Sequence, residues 1–152
     1  MDLQEELKAL KERIAELEEL AKEQQEFPQS GERYWYNNGG GMVNSCFWKS
    51  EQLDLNRYRI GNMFKTEKEA EFAVEKLKVE AELQKFSRPF EYGKFNYYLL
   101  LDIDGNSFRT DFTSYYPPQG AIYFESKEKA QEAVSAVGIE RIKKYLFGVE
   151  DL

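Results

Sequence analysis

The residues of this chain best equipped for chemistry fall into a few short stretches. "DIDGN" sets Asp102, Asp104 and Asn106 at the opening spacing of a calcium loop, where carboxylates supply hard oxygen ligands. The rest of that pattern is missing: Ser107 stands where the loop needs glycine and Thr113 where it needs glutamate. Asp104-Gly105 is instead a preferred hairpin turn pair. "NNGGG", Asn37 to Gly41, has the glycines of a phosphate loop, but no GK[ST] follows and a strand pattern comes next, so it too reads as a turn. Asp54, Arg57 and Arg59 form a polar cluster whose simplest role is a structural ion pair. No two carboxylates are spaced as a general acid and base. The chain has no histidine, which removes Ser-His-Asp and Cys-His sites and ordinary zinc centres. Cys46 is the only cysteine, so no intrachain disulfide or CxxC pair forms. The expectation is a protein that is not an enzyme, with no catalytic residue, no metal and no cofactor.

Aromatic side chains are the other candidates. Trp35, Trp48, Tyr97, Tyr98, Tyr115, Tyr116, Tyr123 and Phe124 are numerous enough to stack on bases or anchor an interface, although small sheets also bury aromatics to gain area. "TSYYPPQG" stands apart, because Pro117-Pro118 fixes an extended loop that presents two adjacent tyrosines; a rigid connection between strands is its plainer reading. Tyr115, Tyr116 and Pro117, with Trp35 and Trp48, are the candidate partner-binding residues. Lys76, Lys78, Lys85 and Arg88, and later Arg141, Lys143 and Lys144, are diluted by glutamates and read as solvated helix faces. No RNP1 pattern accompanies them.

These residues must be positioned by the elements around them. "MDLQEELKALKERIAELEELAKEQQ" places Leu3, Leu7, Leu10, Ile14, Leu17 and Ala21 at alternating spacings of four and three, the seam of a left-handed coiled coil. Glu6 with Lys11 and Arg13 with Glu18 occupy g and following e positions, where opposite charges meet between parallel, in-register helices. A parallel dimer is favoured, with a trimer or higher oligomer as the alternative because Leu20 widens the stripe. "EFPQSGE" breaks the helix with Pro28 and Gly31.

Beyond the linker, "RYWYNNGGGMVNSCFW" reads as a hairpin, "RYRIGNMF" as a third short strand, and Thr66 with Glu69 as a capping box opening a helix. That helix presents Ala70, Ala73, Val74, Leu77 and Ala81 as its apolar face and stops near Ser87, before Pro89. "NYYLLLDIDGNSFRTDF", "GAIYF" and a helix opened by Ser126 repeat the order, with Ala130, Ala133, Val134 and Val137 as the matching face. Phe64/Phe124, Thr66/Ser126, Ala70/Ala130 and Val74/Val134 all lie sixty positions apart, which points to an internal duplication. The fold expected is α+β: a coiled-coil helix over residues 1–26, a linker over 27–33, and a pseudo-duplicated ββ(β)α domain with antiparallel sheet. Its first unit covers 34–95. Its second covers 96–152 and includes a last short helix, "IERIKKYLF".

Of the net charge of -7, the segment Met1 to Glu26 carries -5, so the remaining chain is nearly balanced. That balance disfavours direct nucleic-acid binding, which needs a clustered basic surface. No apolar run is long enough for a membrane span or signal peptide, and a cytoplasmic protein is expected. "ERYWYNN...GMV...W", "RIGNMFKTEKEAEFAVEKLKVEAEL" and "YFESKEKAQEAVSAVGIERIKKYLFGV" together resemble a loose group of small uncharacterised accessory proteins from phages and prophages of Gram-positive bacteria. The resemblance covers most of the chain after the arm. It implies a stoichiometric inhibitor of a host defence component, such as a CRISPR nuclease, and carries over no catalytic residue. The expected partners are further copies of this chain and a host protein. A small-ligand sponge for nucleotide signals and a single-strand nucleic-acid-binding accessory protein are the competing readings.

Overall fold

A computed structural model of the chain describes residues 2–23, 26–104 and 107–149. The element order is α1 (Leu3–Glu23), β1 (Arg33–Asn37), β2 (Val43–Phe47), α2 (Gln52–Arg59), α3 (Glu67–Gln84), β3 (Asn96–Asp102), β4 (Ser107–Thr113), α4 (Lys127–Val137) and α5 (Ile139–Arg141), which runs on into a π-helical turn, Ile142–Leu146. The class is α+β, and among the described residues the strands form two separate pairs, β1 with β2 and β3 with β4. Two compact units emerge: Met1–Tyr36 with Asn44–Glu67, and Asn37–Val43 with Lys68–Leu152. Among the described residues no helix is long and apolar enough to cross a membrane.

In the first unit, α1 is built from strong helix formers and opened by a reciprocal cap. Glu5 N–H donates to Asp2 Oδ1 at 2.8 Å, and Asp2 N–H donates to Glu5 Oε2 at 3.2 Å. Every side chain described along it is exposed, the whole leucine stripe included. The strand expected over Arg57 to Phe64 is not there; that stretch begins inside α2 and continues through a turn. The physical reason lies in Asp54 and Arg57. At a spacing of three they share one helical face, whereas a strand would send them to opposite sides. Only Phe64 keeps strand-like pairing, exchanging both backbone hydrogen bonds with Trp35 at 2.9 and 3.0 Å.

In the second unit, β3 and β4 pair antiparallel from Asn96↔Thr113 to Asp102↔Ser107. Of the expected turn at Asp104-Gly105, Gly105 lies outside the described residues, as does Asn106 of "DIDGN". The other edge of β3 is touched only briefly. Tyr97 exchanges two backbone bonds with Phe124, at 2.8 and 3.1 Å; outside β3, Arg88 N–H reaches Tyr123 O at 2.9 Å. The expected strand "GAIYF" is thus reduced to isolated bridges. Pro117-Pro118 and the turn at Gly120, whose φ is +73°, leave too little straight chain for a ladder.

Helices α3 and α4 close the core over this sheet. Val79, Leu83, Phe124, Ala130, Ala133, Val137 and Ile142 are its buried centre, with Tyr97, Leu99 and Phe108 packed against it. Helix α4 follows the sequence reading: Ser126 Oγ accepts from Lys129 N–H at 3.1 Å, Ala130, Ala133 and Val137 are buried, and Val134 is half-buried. Helix α3 departs from it. Ala70 and Val74 are buried and Ala73 half-buried, but Leu77 and Ala81 are exposed, and Val79 and Leu83 are buried instead. At 3.6 residues per turn, Val79 lies roughly 140° further round the helix than Val74, so α3 buries different faces in its two halves.

Leu83→Ala should therefore lower the free energy of unfolding by about 3 kcal/mol, as a buried leucine leaves a cavity behind. Leu77→Ala should change it by no more than ~0.5 kcal/mol. Urea titrations followed by circular dichroism separate the two, and equal losses would overturn the assignment of faces.

Candidate functional site

Asn96, at the first position of β3, is fully buried. A side-chain amide in that position needs every donor and acceptor satisfied, since each buried orphan costs about 1–3 kcal/mol. Its Oδ1 accepts from Arg88 Nη1 at 2.7 Å and from Glu91 N–H at 2.8 Å. The two N–H groups of its Nδ2 face three carbonyls, those of Glu91, Lys94 and Thr113, at 2.9, 3.0 and 2.9 Å, so one N–H is shared between two of them. Arg88 wraps the same loop, donating to Pro89 O at 3.1 Å and Phe95 O at 2.8 Å. Gly93, at φ +82°, turns the chain and donates to Ser114 O at 2.9 Å. One buried amide thus fixes the loop before β3 against the end of β4.

The loops so fixed display aromatic rings to solvent. Tyr92 is 77 % exposed and stands against Tyr115, ring centroids 5.1 Å apart; Phe95 meets Phe112 edge-on at 4.8 Å. Phe95, Phe112 and Tyr115 are all at least half exposed, and Tyr116 is 84 % exposed. The Tyr115–Pro118 loop is braced from both sides: Thr113 Oγ1 donates to Tyr116 O at 2.8 Å and the Tyr123 hydroxyl donates to Pro118 O at 3.1 Å. Large apolar rings held rigidly in water are what a protein-binding surface offers, because little side-chain or loop entropy remains to be lost on contact. Of the residues expected to bind a partner, Tyr115, Tyr116 and Pro117 belong to this face. Tyr92, Phe95 and Phe112 join them, and their position beside the turn glycine Gly93 or late in an exposed strand was the only hint in the sequence.

Trp35 and Trp48 belong to the first unit, and both are half-buried. The Arg33 guanidinium carbon lies 4.8 Å from the Trp35 ring centre. Trp48 meets Tyr34 at 6.5 Å and Tyr58 at 6.3 Å, and with Phe27, Pro28 and Leu55 it lines a hollow of about 380 Å³. Beside them lies a buried polar cluster. Tyr34 is fully buried and Asp54 is 3 % exposed. The Tyr34 hydroxyl donates to Asp54 Oδ1 and accepts from Arg57 Nη1 at 2.9 Å, while Asp54 Oδ2 accepts from Lys49 and Glu51 N–H at 3.0 and 3.2 Å. The Arg57 guanidinium carbon also lies 3.6 Å from the Tyr36 ring centre. Of the three polar side chains expected to form a structural ion pair, Asp54 and Arg57 join this cluster, linked through Tyr34.

Burial pushes the Tyr34 phenol up, and its bond to Asp54 adds to the rise against the opposing pull of Arg57. Burial also opposes charge on Asp54, but the Tyr34 hydroxyl, two backbone N–H groups and Arg57 together hold its carboxyl below the usual carboxylate range. Tyr34, Asp54 and Arg57 are thus tied to one another through the Tyr34 hydroxyl, with Asp54 also held by two backbone N–H groups. Among the described residues no group of histidine, cysteine, aspartate or glutamate side chains is arranged to hold a metal ion. In the second unit an apolar hollow of about 290 Å³ is lined by Leu83, Leu99, Ile122, Phe124 and Tyr98 together with the Pro118–Ala121 segment, without a charged side chain.

Two tests follow from these clusters. Asn96→Ala should cost about 3 kcal/mol of stability by removing the hydrogen bonds that tie the loop to β4 and should raise amide exchange across residues 89–95. In the first unit, the lowered Asp54 pKa supplies stability that is present above the unfolded value and lost as pH falls below ~4. The raised Tyr34 pKa supplies stability present below the unfolded value and lost as pH climbs past ~10. Thermal melts across pH should show Asp54→Asn flattening the acid limb and Tyr34→Phe the alkaline one; unchanged limbs would refute the assignment.

A scan against protein-family models, a search of curated proteins and a search of solved structures each return no match. What the protein does is therefore read from its own surfaces.

Proposed function

We propose that the protein is a non-enzymatic, oligomeric phage protein that acts in the host cytoplasm by binding and blocking a host macromolecule, a defence component such as a CRISPR nuclease. The observation that carries the binding role is the exposed aromatic face of Tyr92, Phe95, Phe112, Tyr115 and Tyr116, carried on loops tied down by Asn96, Thr113 and Tyr123. The phage setting rests on the resemblance of the sequence motifs. Helix α1 gathers the copies. Its stripe of Leu3, Leu7, Leu10, Ile14 and Leu17 is exposed along its whole length, and a lone helix of this size is marginal in water. A parallel second copy covers that stripe and sets Glu6 against Lys11 and Arg13 against Glu18. Arg13 is already ordered locally by Glu16 at 3.0 Å.

The duplicated domain belongs to the same proposal. Trp35 with Phe64 and Tyr97 with Phe124 form matching two-bond bridges, and the helices that follow begin at Glu67 and Lys127, sixty positions apart. Several copies of a modest contact face strengthen one another through effective concentration. The hollow lined by Tyr98, Ile122 and the Pro118–Ala121 segment has no cation to meet a phosphate, so it lends the nucleotide-sponge reading no support.

Light scattering at micromolar concentration should give a dimer or higher mass for the full chain and a monomer for Leu10→Glu/Leu17→Glu. Glu6→Lys should weaken association, and adding Lys11→Glu should restore it. A monomeric parent chain would end the oligomer reading. Capture from host lysate should recover one stoichiometric protein with the parent and lose it with Tyr92→Ser/Tyr115→Ser at unchanged oligomer mass; retention by that variant would end the role of the aromatic face.

A further inference from the structure

Strand β4 has a second, unpaired edge, and the chain treats its two ends differently. Because Tyr97 directs both backbone groups away from β4 to Phe124, the alternation of an antiparallel pair turns the N–H and C=O of Phe108, Thr110 and Phe112 outward, away from β3. At Phe112 that edge is closed, since its N–H donates to the neighbouring Asp111 Oδ1 at 2.8 Å. At Phe108 and Thr110 no backbone partner occurs among the described residues. A groove of about 580 Å³ runs along this open stretch, lined by Ser107 to Thr110 on one side and by Lys127, Gln131, Val134 and Ser135 of α4 on the other. Those α4 positions recur at spacings of four and three, so they are one helical face. Leu99, Phe108, Val134 and Ile139 give the groove apolar ground, Lys127 stands on its helix side, and Arg109, alternating to the other face of β4, borders it from the strand; both are exposed cations with no ion-pair partner among the described residues.

We propose that this groove binds an extended acidic peptide segment of a partner protein, added as a third strand along Phe108–Thr110. The two-residue repeat of outward backbone groups matches an extended chain. The apolar ground takes the side chains on one face of that chain, and the two cations select acidic residues flanking them. A second copy of β4 is the poorer occupant, because it would bring its own Arg109 and Lys127 to the same rim. The inference is independent of the aromatic face, which lies beyond the Asp111 closure at the other end of β4.

The test uses the full chain and two fluorescein-labelled, end-capped hexapeptides, one alternating glutamate with valine and one alternating lysine with valine. The acidic peptide should bind saturably and slow amide exchange at Phe108 and Thr110. Arg109→Glu/Lys127→Glu, which alters only exposed side chains, should reverse the preference between the peptides by about tenfold in each direction. Thr110→Pro, which deletes an outward N–H and is of a kind edge strands accept, should abolish binding while leaving the charges in place. No saturable binding, indifference to charge reversal, protection confined to other residues, or self-association through β4 in place of peptide binding would each overturn the proposal.

Discussion

A side-chain amide sealed from water cannot leave a donor or acceptor idle, and Asn96 meets that constraint by reaching in three directions at once. It draws in the guanidinium of Arg88, the backbone of residues 91–94 and the carbonyl of Thr113. These partners come from a loop, a strand end and a helix exit, so satisfying one residue fixes the geometry of all three. The exposed rings of the second unit stand on that arrangement. Their rigidity comes from polar bonds beneath them, and their apolar surface is consequently free to face outward. The first unit solves a similar problem with other chemistry, placing a phenol, a carboxylate and a guanidinium where a larger domain would place aliphatic side chains.

Sheets of two strands leave edges, and this chain manages each edge separately. On β3 the pairing with Phe124 occupies one position beyond the β4 ladder. On β4 the Asp111 carboxylate covers Phe112. An exposed edge is normally guarded along its length because it invites unwanted pairing. Here the guard stops at Asp111, and the unguarded stretch coincides with an apolar groove rimmed by cations.

Periodicity made some of this legible in the sequence. Helix α4 keeps one buried face throughout, so Ala130, Ala133 and Val137 declared themselves. The α1 stripe was equally plain, since its spacing repeats without interruption. Helix α3 defeated the same reasoning because its burial moves round the axis between Val74 and Val79, and no single stripe describes it. "RYRIGNMF" has the alternation of a strand, but Arg57 is recruited by Tyr34, twenty-three positions earlier, and that long-range bond favours a helical face shared with Asp54. The candidate site was half legible. Pro117-Pro118 marked Tyr115 and Tyr116, whereas Tyr92 and Phe95 looked like ordinary aromatics near a strand. What sets them apart is Asn96, whose bonds run within its own loop and once to Thr113, seventeen positions on, and whose complete burial no local pattern encodes.

The placement of charge has a colloidal consequence. Most of the acidic excess, -5 of -7, sits on the segment Met1 to Glu26 that contains the exposed helix α1, while the residues after Glu26 carry a net charge of only -2. A near-neutral body with bare aromatic rings is prone to clump, and mutual repulsion between acidic surfaces is what keeps such particles dispersed. The leading segment thus gives each assembly of copies an electrostatic fender, and trimming residues 1–26 away removes most of the net charge that keeps the sticky remainder in suspension.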